Sequence, residues 1–224
     1  MTTAPPPRGL VVDWGGVLTE DVHVALGMWA ESEGIPTQIM RSAFRRWLGP
    51  AEAEREMVNP VHLLERGEMA VAEFEHYLAT EMSAAAGRTI VADGLLGRMF
   101  SYFTHAPAMT SLVWRAHDAG IRTALLSNSW GNAYPQQVWE GMFDTVVISG
   151  DVGMRKPEPQ IYTHTCTELG LAPEQCVFVD DLAHNVQAAQ ALGMLGVHHV
   201  AYTTTAAQLS VLFGRDLTES GDVR

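Results

Sequence analysis

The sequence predicts a three-layer α/β sandwich, in which helices cover both faces of a parallel sheet. Three observations carry that expectation. Short β-branched or apolar runs alternate with stretches of helical period, which is the pattern of strand–helix–strand units. The apolar runs are nearly continuous, as strands buried on both faces require. The chain has 224 residues, 47% hydrophobic and 18% charged, enough apolar material for one large core or a core with a smaller partner.

Taken in order, the opening APPPR segment is extended, because proline fixes φ and offers no backbone donor. Strands are expected at Leu10–Val12, Ile121–Leu126, Thr145–Ile148, Val177–Val179 and Gly196–Val200. Between them, Met109–Ala119 ends at Gly120, Gln160–Leu169 at Gly170 and Asn185–Leu192 at Gly193, each glycine suited to a helix C-terminus. A last helix covers Ala206–Phe213, and a polar tail runs from Thr218 to Arg224. One stretch breaks the alternation. From Asp21 to Leu96 there is helical periodicity and no convincing strand: Asn59-Pro60 opens one helix, and Val71, Phe74, Tyr77, Leu78 and Met82 line one face of another. These helices read as an inserted subdomain (residues 21–96) over the sheet edge, with 1–20 and 97–224 forming the core. Its aromatics Trp29, Phe44, Trp47, Phe74 and Tyr77 fall at helical spacing and read as core.

Composition removes several function classes. A net charge of −12 argues against a nucleic-acid surface, which needs clustered Lys and Arg. No apolar run approaches the roughly 18 residues of a membrane span, and the first residues lack the basic-then-apolar order of a signal peptide. A cytoplasmic protein is the expectation. Cys166 and Cys176 make no disulfide framework and show no zinc spacing. The fourteen basic residues include a single lysine, Lys156. A bias toward arginine explains the scarcity of lysine but not where the survivor sits.

Ligands of open α/β sheets bind beyond the carboxyl ends of the strands. The residues after each expected strand are Asp13, then Ser127 and Asn128, then Arg155-Lys156-Pro157, then Asp180 and Asp181. Singly, each has an ordinary reading: an aspartate caps a helix, a serine makes a turn, a lysine sits in solvent. Together, four successive strand ends populated this way point to one site. Clustered carboxylates repel unless a cation lies between them, and hard oxygen ligands at an open site suit Mg²⁺. A lysine and a serine beside the metal suit a phosphate, and a carboxylate attacking phosphorus would give an aspartyl phosphate.

The segments VVDWGGVLT (11–19), LLSNS (125–129), RKPEPQIY (155–162) and VFVDDLAHNVQAAQALGM (177–194) resemble, in order and spacing, the haloacid dehalogenase superfamily in its helical-cap, phosphatase-rich branch. LERGEMAVAEFEHYL (64–78) is similar to that branch's cap helices. The group includes the N-terminal phosphatase domain of soluble epoxide hydrolases and bacterial sugar-phosphate phosphatases. The resemblance implies a Rossmann-like core with an α-helical cap, a Mg²⁺ cofactor and a small phosphorylated metabolite as substrate, in a monomer or homodimer. It implies Asp13 as nucleophile and metal ligand, Ser127 and Asn128 as the phosphate-binding element, and Lys156 as the cation shared by nucleophile and phosphate. Asp181 matches the principal metal carboxylate, Asp180 supports the metal or its waters, and Gly15 offers a backbone carbonyl to the metal.

Gly15 is also the departure. Most phosphatases of the family carry there a second aspartate that protonates the leaving oxygen and activates water. Its loss costs on the order of 10² to 10⁴ in rate for a poor leaving group. Three outcomes are compatible: a substrate with a good leaving group, a substitute proton carrier such as His23 or a water, or a protein that binds without turnover. A binding or regulatory module of the same fold is therefore the competing expectation. A dehalogenase is disfavoured because that branch carries tyrosine at this position and lacks the paired aspartates, and a sugar-phosphate mutase relies on the missing residue.

Overall fold

A computed structural model describes residues 5–48, 59–131 and 134–218, with the side chains of residues 43–48 and of Gln136 outside the description. The side chains of Phe44 and Trp47, and all but the first residue of the expected tail, thus lie outside it. Five strands, β1 (Gly9–Val12), β2 (Arg122–Ser127), β3 (Thr145–Ile148), β4 (Cys176–Asp180) and β5 (Leu195–His198), form one sheet in the order β3-β2-β1-β4-β5. Every pairing is parallel. The near-continuous apolar runs thus sit where their composition demands, with all four residues of β1 buried.

Alternation within the strands divides the core into two layers. Leu10, Val12, Leu125, Val177 and Val179 face α6 (Pro107–Asp118) and α10 (Tyr202–Phe213), meeting Leu112, Val113 and Leu209. Val11, Ala124, Leu126 and Phe178 pack on the opposite side against Ile161 and Tyr162 of α8 (Pro159–Glu168) and Ala189 of α9 (Ala183–Ala191). A four-residue α7 (Ser149–Val152) follows β3 directly. Four strands differ from their expected bounds: β1 begins one residue earlier, and β4 gains one residue at each end. β2 starts one residue late and takes in Ser127, and β5 spans Leu195–His198 because exposed Val200 lies beyond the last paired residues.

Five helices fall between β1 and α6: α1 (Val22–Ser32), α2 (Thr37–Leu48), α3 (Pro60–Glu65), α4 (Val71–Ala86) and α5 (Leu95–Phe100). Local chemistry starts two of them. Asp21 accepts from the His23 amide at the head of α1, and Asn59 accepts from the Val61 amide with Pro60 at the first position of α3. They share their own apolar cluster around Trp29, Phe74, Leu78, Met82 and Leu95. Trp29 and Phe74 are fully buried there and Tyr77 packs against the cluster. α5 contributes Leu95, Leu96 and Met99 to it, so this packing continues past residue 96. Among the described residues no helix is long and apolar enough to cross a membrane.

The helical layer is tied to the sheet layer by two ion pairs. Glu65 Oε2 meets Arg155 Nε at 2.5 Å, with both side chains buried, and Arg66 pairs with Glu158. Glu65 Oε1 also accepts from Trp130 Nε1 at 3.0 Å. Removing one partner of a buried pair strands the other charge in a medium that solvates it poorly. Glu65→Ala should therefore cost about 3–5 kcal/mol, measured by urea unfolding. A loss below about 1 kcal/mol, the scale of an exposed pair, would show that the link is solvated.

Candidate active site

The strand order reverses at β1: its sequence successor β2 lies on one side and β4 on the other. Carboxyl ends at such a switch point leave a crevice where side chains from several strands converge. Asp13 is the first residue past β1, and its amide donates to the Val179 carbonyl at 3.0 Å, which places it beside β4. Ser127 closes β2 and Asp180 closes β4. Lys156 arrives on the loop between α7 and α8.

The Lys156 ammonium lies 2.8 Å from Asp13 Oδ1 and 2.7 Å from Asp180 Oδ2, with only 1% of the residue exposed. The Phe178 ring lies 5.6 Å away. Burial alone would favour the neutral amine, but the charges of Asp13 and Asp180 outweigh it and hold the ammonium above the ordinary lysine range. The Lys156 backbone is pinned as well. Its N–H donates to Asn128 Oδ1 at 2.8 Å, and its carbonyl accepts from Asn128 Nδ2 at 3.0 Å. Asn128 thus spends its amide on positioning the lysine loop. The Ser127 hydroxyl accepts from Tyr134 at 2.9 Å, and burial keeps that phenol protonated well above its usual range.

Asp180 is wholly buried and already supplied with donors. Besides Lys156, its oxygens accept from the Leu182 amide at 2.8 Å and from Asn185 Nδ2 at 3.0 and 3.1 Å. Asp181 differs. Burial first, and then the charge of Asp180, push its carboxyl up to about 7. Burial, reinforced by Asp180 and Asp181 and opposed by Lys156, likewise raises Asp13. One oxygen from each of Asp13, Asp180 and Asp181 lies within 4.8 Å of the others. Asn185 Oδ1 is buried beside them and has no hydrogen-bond partner among the described residues. Gly16 turns with φ +69°, and a Cβ there would collide with the Asp181 carboxylate. Crowded carboxylates that resist ionisation, next to an orphaned carbonyl oxygen, form a donor set that fits a hard divalent cation. Gly15 has ordinary φ, and a Cβ built on it would meet Val22 only at 3.8 Å.

These groups floor a cavity of about 160 Å³. Its walls come from Trp14, Val22, Met99, Phe100, Phe103 and Trp130, and exposed His23 also lines it. Trp14 stacks on Phe103 at 5.8 Å with planes 6° apart, and Phe100 tilts against Phe103 at 5.3 Å. The sequence placed Asp13, Ser127, Asn128, Lys156, Asp180 and Asp181 on one edge, and the structure brings them together there. The aromatic wall and Tyr134 were missed. Trp14 directly follows Asp13, but Phe100, Phe103 and Trp130 sit in segments whose periodicity reads as helix end or turn.

Buried carboxylates bridged by the Lys156 ammonium at a parallel-sheet edge thus lie beneath an apolar chamber. The chain belongs to the haloacid dehalogenase-like hydrolase family, which it matches over residues 7–193. It is 32% identical over 111 residues to the sesquiterpene phosphatase astK of Aspergillus oryzae, covering 47% of this chain and 56% of that one. It is 30% identical over 133 residues to the bifunctional epoxide hydrolase 2 of Mus musculus, covering 53% of this chain and 24% of that one. The chain therefore spans little more than half the length of one of these relatives and a quarter of the other. A haloacid dehalogenase family enzyme of Bacteroides thetaiotaomicron, solved with magnesium and inorganic phosphate, shares the fold. Its TM-score is 0.62 at 21% identity, over 87% of this chain and 95% of that one.

The tight seat of Lys156 yields a test of side-chain shape. Arginine keeps the charge but replaces a compact ammonium with a longer planar fork, which does not fit between two carboxylates at 2.8 and 2.7 Å. Lys156→Arg should lose about 90% or more of the hydrolytic activity, about 1.4 kcal/mol at the barrier, measured as phosphate release from an aryl phosphate. Retention of activity would mean that charge alone suffices there.

Proposed function

We propose that the protein is a Mg²⁺-dependent phosphatase that cleaves a small phosphate monoester through a covalent phosphate on Asp13. The observation that carries this reading is the Lys156 ammonium bridging Asp13 and Asp180 on the floor of the cavity. A lysine so held opposes the protonation that burial favours on Asp13, and it presents positive charge where a phosphoryl group gains negative charge. The phosphatase name of one relative and the magnesium and phosphate in the Bacteroides enzyme support it.

Asp13, Asp181 and the Gly15 carbonyl are the groups we assign to the metal, with Asn185 Oδ1 beside them. The ion would neutralise phosphate oxygens and hold the ester facing Asp13. Asp180, with its donors already in place, acts on Lys156 and not on the metal. The Asp13 carboxylate forms the bond to phosphorus as the ester P–O bond breaks, and the alcohol oxygen leaves with the electron pair. Ser127, oriented by Tyr134, donates to a phosphoryl oxygen, while Asn128 holds the lysine loop. Water then attacks phosphorus as the bond to Asp13 breaks, giving back the carboxylate and inorganic phosphate, and the proton that the water loses balances the one taken up from solvent by the departing alkoxide. We assign the helices α1–α5 the part of a cap that excludes bulk water from this chemistry.

Asp13→Asn should abolish phosphate release from para-nitrophenyl phosphate, and chelation of divalent ions should do the same reversibly. Equal release from the variant and the wild-type protein would sink the phosphatase reading. Gly15 supplies no carboxyl to protonate the leaving oxygen, so turnover should fall steeply as the leaving alcohol becomes more basic. Because the position has room for a Cβ, Gly15→Asp should speed hydrolysis of an alkyl phosphate by about tenfold or more while changing an aryl phosphate little. No gain on the alkyl ester would show that another group already moves that proton.

A further inference from the structure

The cavity divides sharply by chemistry. Its floor holds Asp13, Ser127, Lys156 and Asp181, whereas the space above is bounded by Trp14, Val22, Phe100, Phe103 and Trp130. Two polar side chains of the lining are bonded to other residues. Both oxygens of Glu65 are taken, by Trp130 Nε1 and Arg155 Nε, and the Asn128 amide is closed on the Lys156 backbone. Among the described residues, the other polar side chains of the lining are Asn185, buried beside the aspartates, and His23 on the exposed side.

From this division we infer that the alcohol carried by the phosphate is compact and apolar, an aromatic ring or branched aliphatic group, and not a polyhydroxylated sugar. The inference rests on the phosphatase reading and specifies its substrate class. Each hydroxyl of a sugar buried against this wall would lose its water without gaining a partner. An apolar group gains there instead, since the wall is preformed by ring-on-ring packing and needs no reordering. Size points the same way. A dry apolar cavity of roughly 150 Å³ takes up benzene, and this one measures about 160 Å³, part of it given to the phosphate. The space beside the phosphate thus suits about one ring, and any longer group would extend through the open side past His23.

The test compares benzyl phosphate with glycerol phosphate esterified at a primary hydroxyl. Both release primary alcohols, so the missing acid at Gly15 handicaps them similarly and the comparison reads the wall. With Mg²⁺ and wild-type protein, kcat/KM should favour benzyl phosphate by about a hundredfold, the scale on which an apolar pocket discriminates. Equal values, or a preference for glycerol phosphate, would overturn the inference while leaving the phosphatase reading intact. If neither ester nor para-nitrophenyl phosphate is hydrolysed in an Asp13-dependent way, the phosphatase reading fails. Calorimetric binding then decides the pocket alone. Benzylphosphonate should bind more tightly than glycerol phosphate in the presence of Mg²⁺, and equal or weaker binding would overturn the assignment.

Discussion

One ammonium group holds this site together. Taking a lysine and two aspartates out of water costs several kcal/mol per ion, and the cost is recovered only where geometry and further hydrogen bonds are good. Lys156 meets both conditions. Its two carboxylates sit at 2.8 and 2.7 Å, and one of them, Asp180, is supplied by the Leu182 amide and the Asn185 side chain as well. Without that cation, three carboxylates would share an interior that already pushes Asp13 and Asp181 toward protonation. The sheet positions the aspartates, but the lysine makes their proximity tolerable.

The same short segment also joins the two halves of the molecule. Arg155 and Glu158 flank Lys156 and pair with Glu65 and Arg66 at the end of α3 and just past it. The Arg155-to-Glu158 stretch thus speaks to the sheet edge through one residue and to the helical layer through two. Chemistry and enclosure are mechanically adjacent. A helical layer that shifted away would pull first on the neighbours of the residue that pairs with Asp13 and Asp180. The aromatic wall lies along the same seam, with Trp14 from the sheet edge stacked on Phe103 beyond α5.

The polar edge was legible in the sequence because its logic is local. Each residue follows an apolar run, and a parallel sheet gathers strand ends by topology. The inserted helices were legible from periodicity, and Asn59-Pro60 marked one start correctly. What escaped was set by tertiary packing. Glu65 and Arg155 are ninety residues apart, and neither carries a local sign that it has a partner. Trp130, Phe100 and Phe103 sit at turns and helix ends, where an aromatic residue has no pattern that says which surface it covers. Asn128 and Asp180 occupy the expected place, yet their hydrogen bonds tie them to Lys156, a distinction that needs distances. Strand ends moved by a residue or two for a similar reason: pairing with a neighbour, and not composition, decides where β2 and β5 stop.

Lys156 has a further consequence for the chemistry of the molecule's surface. It is the chain's single lysine and is 1% exposed, so the side-chain positive charge that solvent meets is carried by guanidinium and imidazole groups. The folded protein presents no ε-amine to acylating reagents, to aldehyde crosslinkers or to enzymes that modify lysine. Amine-directed covalent labelling of a side chain therefore becomes a reporter of unfolding, because the one group that can react emerges only when the buried edge comes apart.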